Sequence, residues 1–222
     1  MARIVSIRKG AHGTVTAVSD DGSLSHYRLE YYGAACEAAS IEPAVASIDA
    51  LRNDGGEPGG PGVELDDGAL AVAIEALAAE LRATALLARA EQYRAGLERK
   101  LAARGMARMA TRLALDRLES AGLLSDERYA ASWIRQRCRG HAEGPRSLNA
   151  ALSARGVDRT ALRAALEATC SGNERRAVLE NAVRLVLRTG VDREPARIRL
   201  LDMGWRHAEI DEELDAALPS PR

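Results

Sequence analysis

The chain has 222 residues, 46% of them hydrophobic, with no Phe and a formal net charge of −1, enough for one sizeable domain or two small ones. Its richest apolar run, Ala69 to Leu87, is broken by Glu75, Glu80 and Arg82, and the short segment Ile4–Ile7 is followed at once by Arg8 and Lys9. The sequence therefore predicts neither a membrane span nor a secretory leader. The near-neutral charge hides a division: residues 1–81 carry 5 basic and 13 acidic side chains, whereas residues 82–206 carry 25 against 14. A basic excess of that size points to an acidic partner, nucleic acid being the usual one, over a merely solvated set of arginines.

In chain order, residues 2–32 read as a β-hairpin or three-stranded meander. Arg3–Arg8 and Thr14–Val18 alternate, Asp20-Asp21-Gly22-Ser23 is a turn signal, and Ser25–Tyr32 sets Tyr27, Leu29 and Tyr31 on one face. Residues 40–52 read as a short helix beginning near Pro43, and the Gly/Pro-rich 53–62 as a linker. Asp66 and Asp67 open a long helix to about Ala90, where acidic residues complement the helix dipole. Helices follow over 94–104 and 107–121. Then come 126–140 (capped by Ser125), 145–155 (Pro145 in the first turn) and 158–169 (capped by Asp158). Asn173 to Thr189, Pro195 to Met203 and Ala208 to Leu218 complete the series.

A cadence, Leu-x-x-x-Gly followed by an apolar residue, recurs at Leu101–Gly105–Met106, Leu152–Gly156–Val157 and Leu200–Gly204–Trp205. Each glycine sits where a helix should stop, a place that favours the left-handed conformation. A period near 50 residues with several helices per unit predicts a helical repeat array. The expected fold class is mainly α, an elongated array of three tandem three-helix repeats with a small N-terminal β-hairpin or meander. The expected division is a β element and linker over 1–65, repeats over 66–123 (with the long leading helix), 124–171 and 172–218, and a tail over 219–222. Cys36, Cys138 and Cys170 are widely spaced without a CxxC, which predicts free thiols in a reducing compartment, the cytoplasm.

Three stretches resemble the RecX family of recombination regulators. They are Leu86–Ala90 with Leu97-Glu98-Arg99-Lys100-Leu101 and Arg104-Gly105; Asp116-Arg117-Leu118-Glu119 with Gly122-Leu123-Leu124; and Asp126-Glu127-Arg128-Tyr129-Ala130, Trp133-Ile134-Arg135 and Arg137, followed by Gly144-Pro145-Arg146, Leu148 and Arg155-Gly156-Val157. The resemblance covers roughly 82–170 well, 171–218 less well and 1–81 only in topology. It implies a regulator that needs no cofactor and has no catalytic site, binding the RecA–single-stranded DNA filament and restraining its recombinase and ATPase activities; some members of the family also bind DNA directly, and single-stranded DNA is an expected partner. The chain departs from the family pattern at Glu143, Ser147 and Thr111, and in a Cys138–Glu143 connection that reads as long.

On the helix over 126–140, Arg128, Arg135 and Arg139 fall within about 40° of one another. Tyr129 and Trp133 occupy the opposite arc, which predicts core packing over base stacking. Arg137 projects toward that arc, where its stem can cover Trp133. Arg99, Lys100 and Arg104 form a second basic cluster, and Arg146 enters the first turn of a helix beside free backbone N–H groups, an arrangement suited to an anion. These seven residues are the candidate contacts to RecA or DNA. The four histidines share no catalytic context and no metal-ligand spacing is present, so neither an enzyme nor a metal site is expected. The expected protein is a monomer without a membrane partner. The alternative is an independent DNA-binding protein of helix-turn-helix type; arginines spread over two repeats fit a groove-lining surface better than a single recognition helix.

Overall fold

A computed structural model describes residues 2–10, 13–43 and 63–218. Three strands, β1 (Ala2–Lys9), β2 (Thr14–Ser19) and β3 (Leu24–Arg28), form an antiparallel meander. A short β4 (Val63–Leu65) joins the free edge of β1, giving the order β3-β2-β1-β4. A register shift between Ile4 and Ser6 breaks the alternation of β1. Both Ile4 and Ile7 thereby reach the core despite their odd spacing. The turn before β3 closes on the Asp21 carboxylate, which accepts from the Ser23 N–H at 2.9 Å.

The expected strand over Ser25–Tyr32 ends early. It stops at Arg28, and Leu29–Ala38 is a helix, α1, burying Tyr31, Tyr32, Ala35 and Cys36. Those four recur at helical spacing and outweigh the two-residue period of Tyr27, Leu29 and Tyr31. The helix expected from Pro43 and the linker expected over 53–62 lie outside the described residues.

Nine further helices follow among the described residues: α2 (Asp67–Leu87), α3 (Arg94–Ala102), α4 (Arg108–Ser120), α5 (Asp126–His141), α6 (Pro145–Arg155), α7 (Arg159–Thr169), α8 (Gly172–Leu187), α9 (Arg193–Asp202) and α10 (His207–Ala217). The fold is thus mainly helical with a small N-terminal sheet, as expected. Asp66, Ser125 and Asp158 cap α2, α5 and α7 with their side chains. Asn173 does not cap α8, which begins one residue earlier after Ser171. α5 runs on to His141, so the connection to α6 is only Ala142–Gly144, shorter than expected.

The Leu-x-x-x-Gly cadence has a single geometric cause. Gly105, Gly156 and Gly204 all take positive φ (76°, 84° and 91°). The N–H of the apolar residue that follows reaches back to the leucine carbonyl, from Met106 to Leu101, Val157 to Leu152 and Trp205 to Leu200, at 3.2–3.3 Å. This is the Schellman closure, with its hydrophobic contact between the two flanking side chains. A fourth instance, Leu118–Gly122–Leu123, closes α4 in the same way at 2.9 Å.

The chain forms two compact units, Met1–Ala90 with Leu97–Leu124, and Glu91–Gly96 with Ser125–Arg222. In the first, the sheet, α1 and α2 share one core around Ile4, Tyr27, Tyr32 and Leu65. α2 continues into a second core with α3 and α4, around Leu97, Leu101, Leu115 and Leu118. In the second unit, α5–α7 close on Ile134, Leu148, Leu152 and Leu162, and α8–α10 on Leu200, Trp205, Ile210 and Leu214. Cys36, Cys138 and Cys170 are free, buried thiols.

Candidate protein and nucleic-acid interface

The basic face of the second unit is built on α5. Ala130, Ile134 and Cys138 turn inward onto Leu148, Leu152, Val157 and Leu162. The helix period then turns Ser132, Arg135, Gln136 and Arg139 outward, where with Gly140 they line a shallow open depression. Among the described residues neither Arg135 nor Arg139 has a carboxylate partner. Arg128, on the same stripe nearer the helix start, differs: its Nε donates to Glu91 Oε1 at 2.9 Å. One of the three stripe arginines is therefore already charge-paired.

The start of α5 is fixed by Asp126. Its Oδ1 accepts from the Arg94 N–H at 2.7 Å and its Oδ2 from the Asp158 N–H at 2.9 Å. One carboxylate thus ties together the starts of α3, α5 and α7, a role that sequence reading missed. Alongside, the Tyr93 and Tyr129 rings stack with centroids 4.6 Å apart. Trp133 packs on the same core but stays half-buried. Its ring lies between two guanidinium groups, Arg155 at 4.9 Å and Arg137 at 5.4 Å. Arg137 also pairs with Glu143 at 2.6 Å, which gives that departure from the family pattern a structural role.

Arg146 is exposed in the first turn of α6, but the anion site expected beside it is filled. The Gly144 N–H donates to the Met203 carbonyl at 2.8 Å, and the Arg146 N–H to the Gly204 carbonyl at 3.2 Å. Pro145 has no N–H to offer. Both carbonyls come from the turn between α9 and α10, which occupies this helix start and leaves the Arg146 side chain exposed for a ligand. The approach is close enough to require glycine: a Cβ on Gly144 would lie 2.5 Å from the Gly204 backbone, and one on Gly204 would run into Ser147. A small residue at 147 fits this contact. The fully buried Trp205 completes it, its indole N–H donating to the Ala142 carbonyl at 3.1 Å.

Arg99, Lys100 and Arg104 are exposed at the end of α3, where cations complement the helix dipole. Arg104 folds back so that Nη1 donates to the Lys100 carbonyl at 2.7 Å, a structural use of part of that cluster. This group lies in the first compact unit, and Arg128, Arg135, Arg139 and Arg146 in the second. In the α8–α10 triplet several arginines are ion-paired: Arg175 with Glu209, Arg193 with Asp215 and Arg197 with Asp211, each at 2.7 Å.

The first unit holds a buried network that sequence reading also missed. Arg28 grips Glu80 with two hydrogen bonds of 2.7 Å, and the Tyr31 hydroxyl donates a third to the same carboxylate at 2.7 Å. Arg117 lies 3.5 Å from Glu80 and pairs with Glu30 at 2.7 Å. Burial works to raise the pKa of Glu80, but the bonds from Arg28 and Tyr31 and the nearby charges outweigh it, leaving the carboxyl below its ordinary value of 4.5. The legible signal was a carboxylate at a core position of α2, between Leu77 and Ala83.

These features define a class: a helical protein of three-helix units, one of which turns an unneutralised basic face outward. Residues 125–166 match the second three-helix domain of RecX. The RecX regulatory protein of Xanthomonas axonopodis pv. citri (strain 306) is 44% identical over 87 residues, 39% of this chain and 53% of that protein. That of Mycolicibacterium vanbaalenii is 39% identical over 90 residues, 40% and 49%. The match spans about half the length of these relatives. A crystal structure of a regulatory protein RecX superposes with a TM-score of 0.63 at 17% identity, covering 97% of this chain and all of that one. RecX from Lactobacillus salivarius superposes at 0.57 with 20% identity, covering 64% and 96%. Residues 125–166 are therefore similar to a RecX three-helix domain, the chain shares the fold of these RecX structures, and the family resemblance drawn from its sequence is borne out. No helix among the described residues is long and apolar enough to cross a membrane.

Proposed function

We propose that the protein is a non-catalytic, cytoplasmic regulator that binds the RecA–single-stranded DNA filament and restrains its recombinase and ATPase activities. The observation that carries this reading is the exposed pair Arg135 and Arg139, without carboxylate partners among the described residues, on the first helix of the segment similar to a RecX domain. Two forked cations on one helix face suit either filament phosphates or RecA carboxylates. Arg99, Lys100, Arg104 and Arg146 are proposed as further contacts, and Arg128 as one that must first leave Glu91. The units over 66–123, 124–171 and 172–218 are proposed as the repeating binding elements. No cofactor takes part.

A pull-down separates this reading from that of an independent DNA-binding protein. The immobilised chain is challenged with RecA alone, single-stranded DNA alone, and both. The proposal expects retention of RecA that rises when DNA is present. Retention of DNA with no retention of RecA would replace it with the independent-binder reading.

A further inference from the structure

The long helix α2 has a second apolar face that the described residues of its own unit leave largely exposed. Its core side is formed by Ala69, Leu70, Ala73, Ala76, Leu77 and Ala83. On the other side, Ala71, Ile74, Ala78, Leu81 and Ala85 fall within an arc of about 80°. Ala71, Ile74, Leu81 and Ala85 are exposed and Ala78 is half-buried; Leu81 is 64% exposed and Ile74 36%. The spacing of these five is 3, 4, 3, 4, the a/d pattern of a two-helix seam. Solvated helix faces carry charge, and an uncharged stripe of four turns marks a contact surface. No residue of this stripe enters the proposed filament contacts.

We infer that α2 pairs antiparallel with α2 of a second copy of this chain through Ala71, Ile74, Ala78, Leu81 and Ala85. The charges along the stripe identify the occupant. Glu75 and Arg82 flank the same side, seven residues apart. An antiparallel two-fold centred between Ala78 and Ala79 brings each Glu75 to the other chain's Arg82, twice over. The same operation brings Asp67, at one end of the stripe, toward Arg89 at the other. A parallel pairing would place the two copies' Glu75 and Arg82 on opposite flanks of the seam, where they do not meet. A two-fold contact of this kind is closed and self-complementary. Glu75 and Arg82 are held in place for it: Glu75 Oε1 accepts from the Ala107 N–H at 2.7 Å, and Arg82 Nη1 lies 3.1 Å from Met106 Sδ. Small residues at three of the five positions let two helices approach closely. A seam of four turns is smaller than a standard interface, so the dimer is one that forms and dissociates with concentration. This departs from the monomer expected from the sequence.

Sedimentation velocity on the full chain, from low micromolar to several hundred micromolar, tests the pairing. The expected result is a shift from monomer toward dimer, with Leu81→Glu raising the dissociation constant roughly a hundredfold, because two leucines leave each seam. A single monomeric species throughout, or a dimer untouched by Leu81→Glu, would overturn it. The orientation has its own test. Arg82→Glu and Glu75→Arg should each weaken self-association, while an equimolar mixture of the two should form a heterodimer at least as tight as the wild type. Thermal melts confirm that both variants are folded. A mixture that associates no better than either variant alone would remove the antiparallel arrangement.

Discussion

Two tryptophans that read alike in the sequence differ in what surrounds them. Trp205 is fully buried and its N–H is satisfied by Ala142, so Trp205→Ala should cost about 3–5 kcal/mol. Trp133 is half-buried between Arg137 and Arg155; it loses less apolar contact and a cation–π contribution, and Trp133→Ala should cost about 1–3 kcal/mol. Urea denaturation of both variants checks the order, and equal losses would contradict this assignment. Helical period placed Trp133 on the apolar arc and Arg137 over it; it could not say that Arg155, from the next helix, also covers the ring. Thr111 is buried with its hydroxyl unpartnered among the described residues. Thr111→Val keeps the shape and removes that burden, so it should raise stability by about 1 kcal/mol, read as a higher denaturation midpoint.

At the scale of elements, helix ends were the most legible feature. Gly105, Gly156 and Gly204 close their helices as the cadence requires, because a Schellman turn depends on residues within one short segment. Elements that depend on distant partners were not legible. β4 is three residues long and exists only because β1 has a free edge. The end of β3 at Arg28 is set by α1, and Arg28 is drawn to Glu80, 52 residues away. That pair ties the sheet to α2 and gives the first unit a pH dependence. Glu80 is held below its ordinary value, so its contribution is fully present above about pH 4.5 and is lost as pH falls through the lowered folded value. Melting temperature should fall across that acidic window. Glu80→Gln should flatten this part of the profile and cost about 3 kcal/mol at neutral pH, since it removes the carboxylate that grips the buried Arg28 with two hydrogen bonds and leaves only the longer Glu30 contact. An acid profile unchanged by the substitution would show that another group controls it.

For the whole molecule, the sequence carried the fold class and the RecX resemblance, while the condition of the candidate site needed the structure. The arginine stripe was legible by period alone. That Arg128 is paired with Glu91, and that the start of α6 is filled by the Met203 and Gly204 carbonyls, follows from contacts between segments far apart in sequence. The consequence is a sharper prediction for binding. Arg135→Ala with Arg139→Ala should leave α5 folded, since Ala is the best helix former. If both arginines meet phosphate, the log–log salt slope for single-stranded DNA should become shallower by about 1.4. If they meet RecA carboxylates, DNA affinity should hold while filament inhibition falls. The most direct measurement of the central claim is the rate of RecA ATP hydrolysis on single-stranded DNA as the protein is titrated, with RecA from the same source. The account predicts inhibition below one molecule per RecA, weakened in the Arg135/Arg139 double variant. Hydrolysis unchanged at equimolar protein would contradict it.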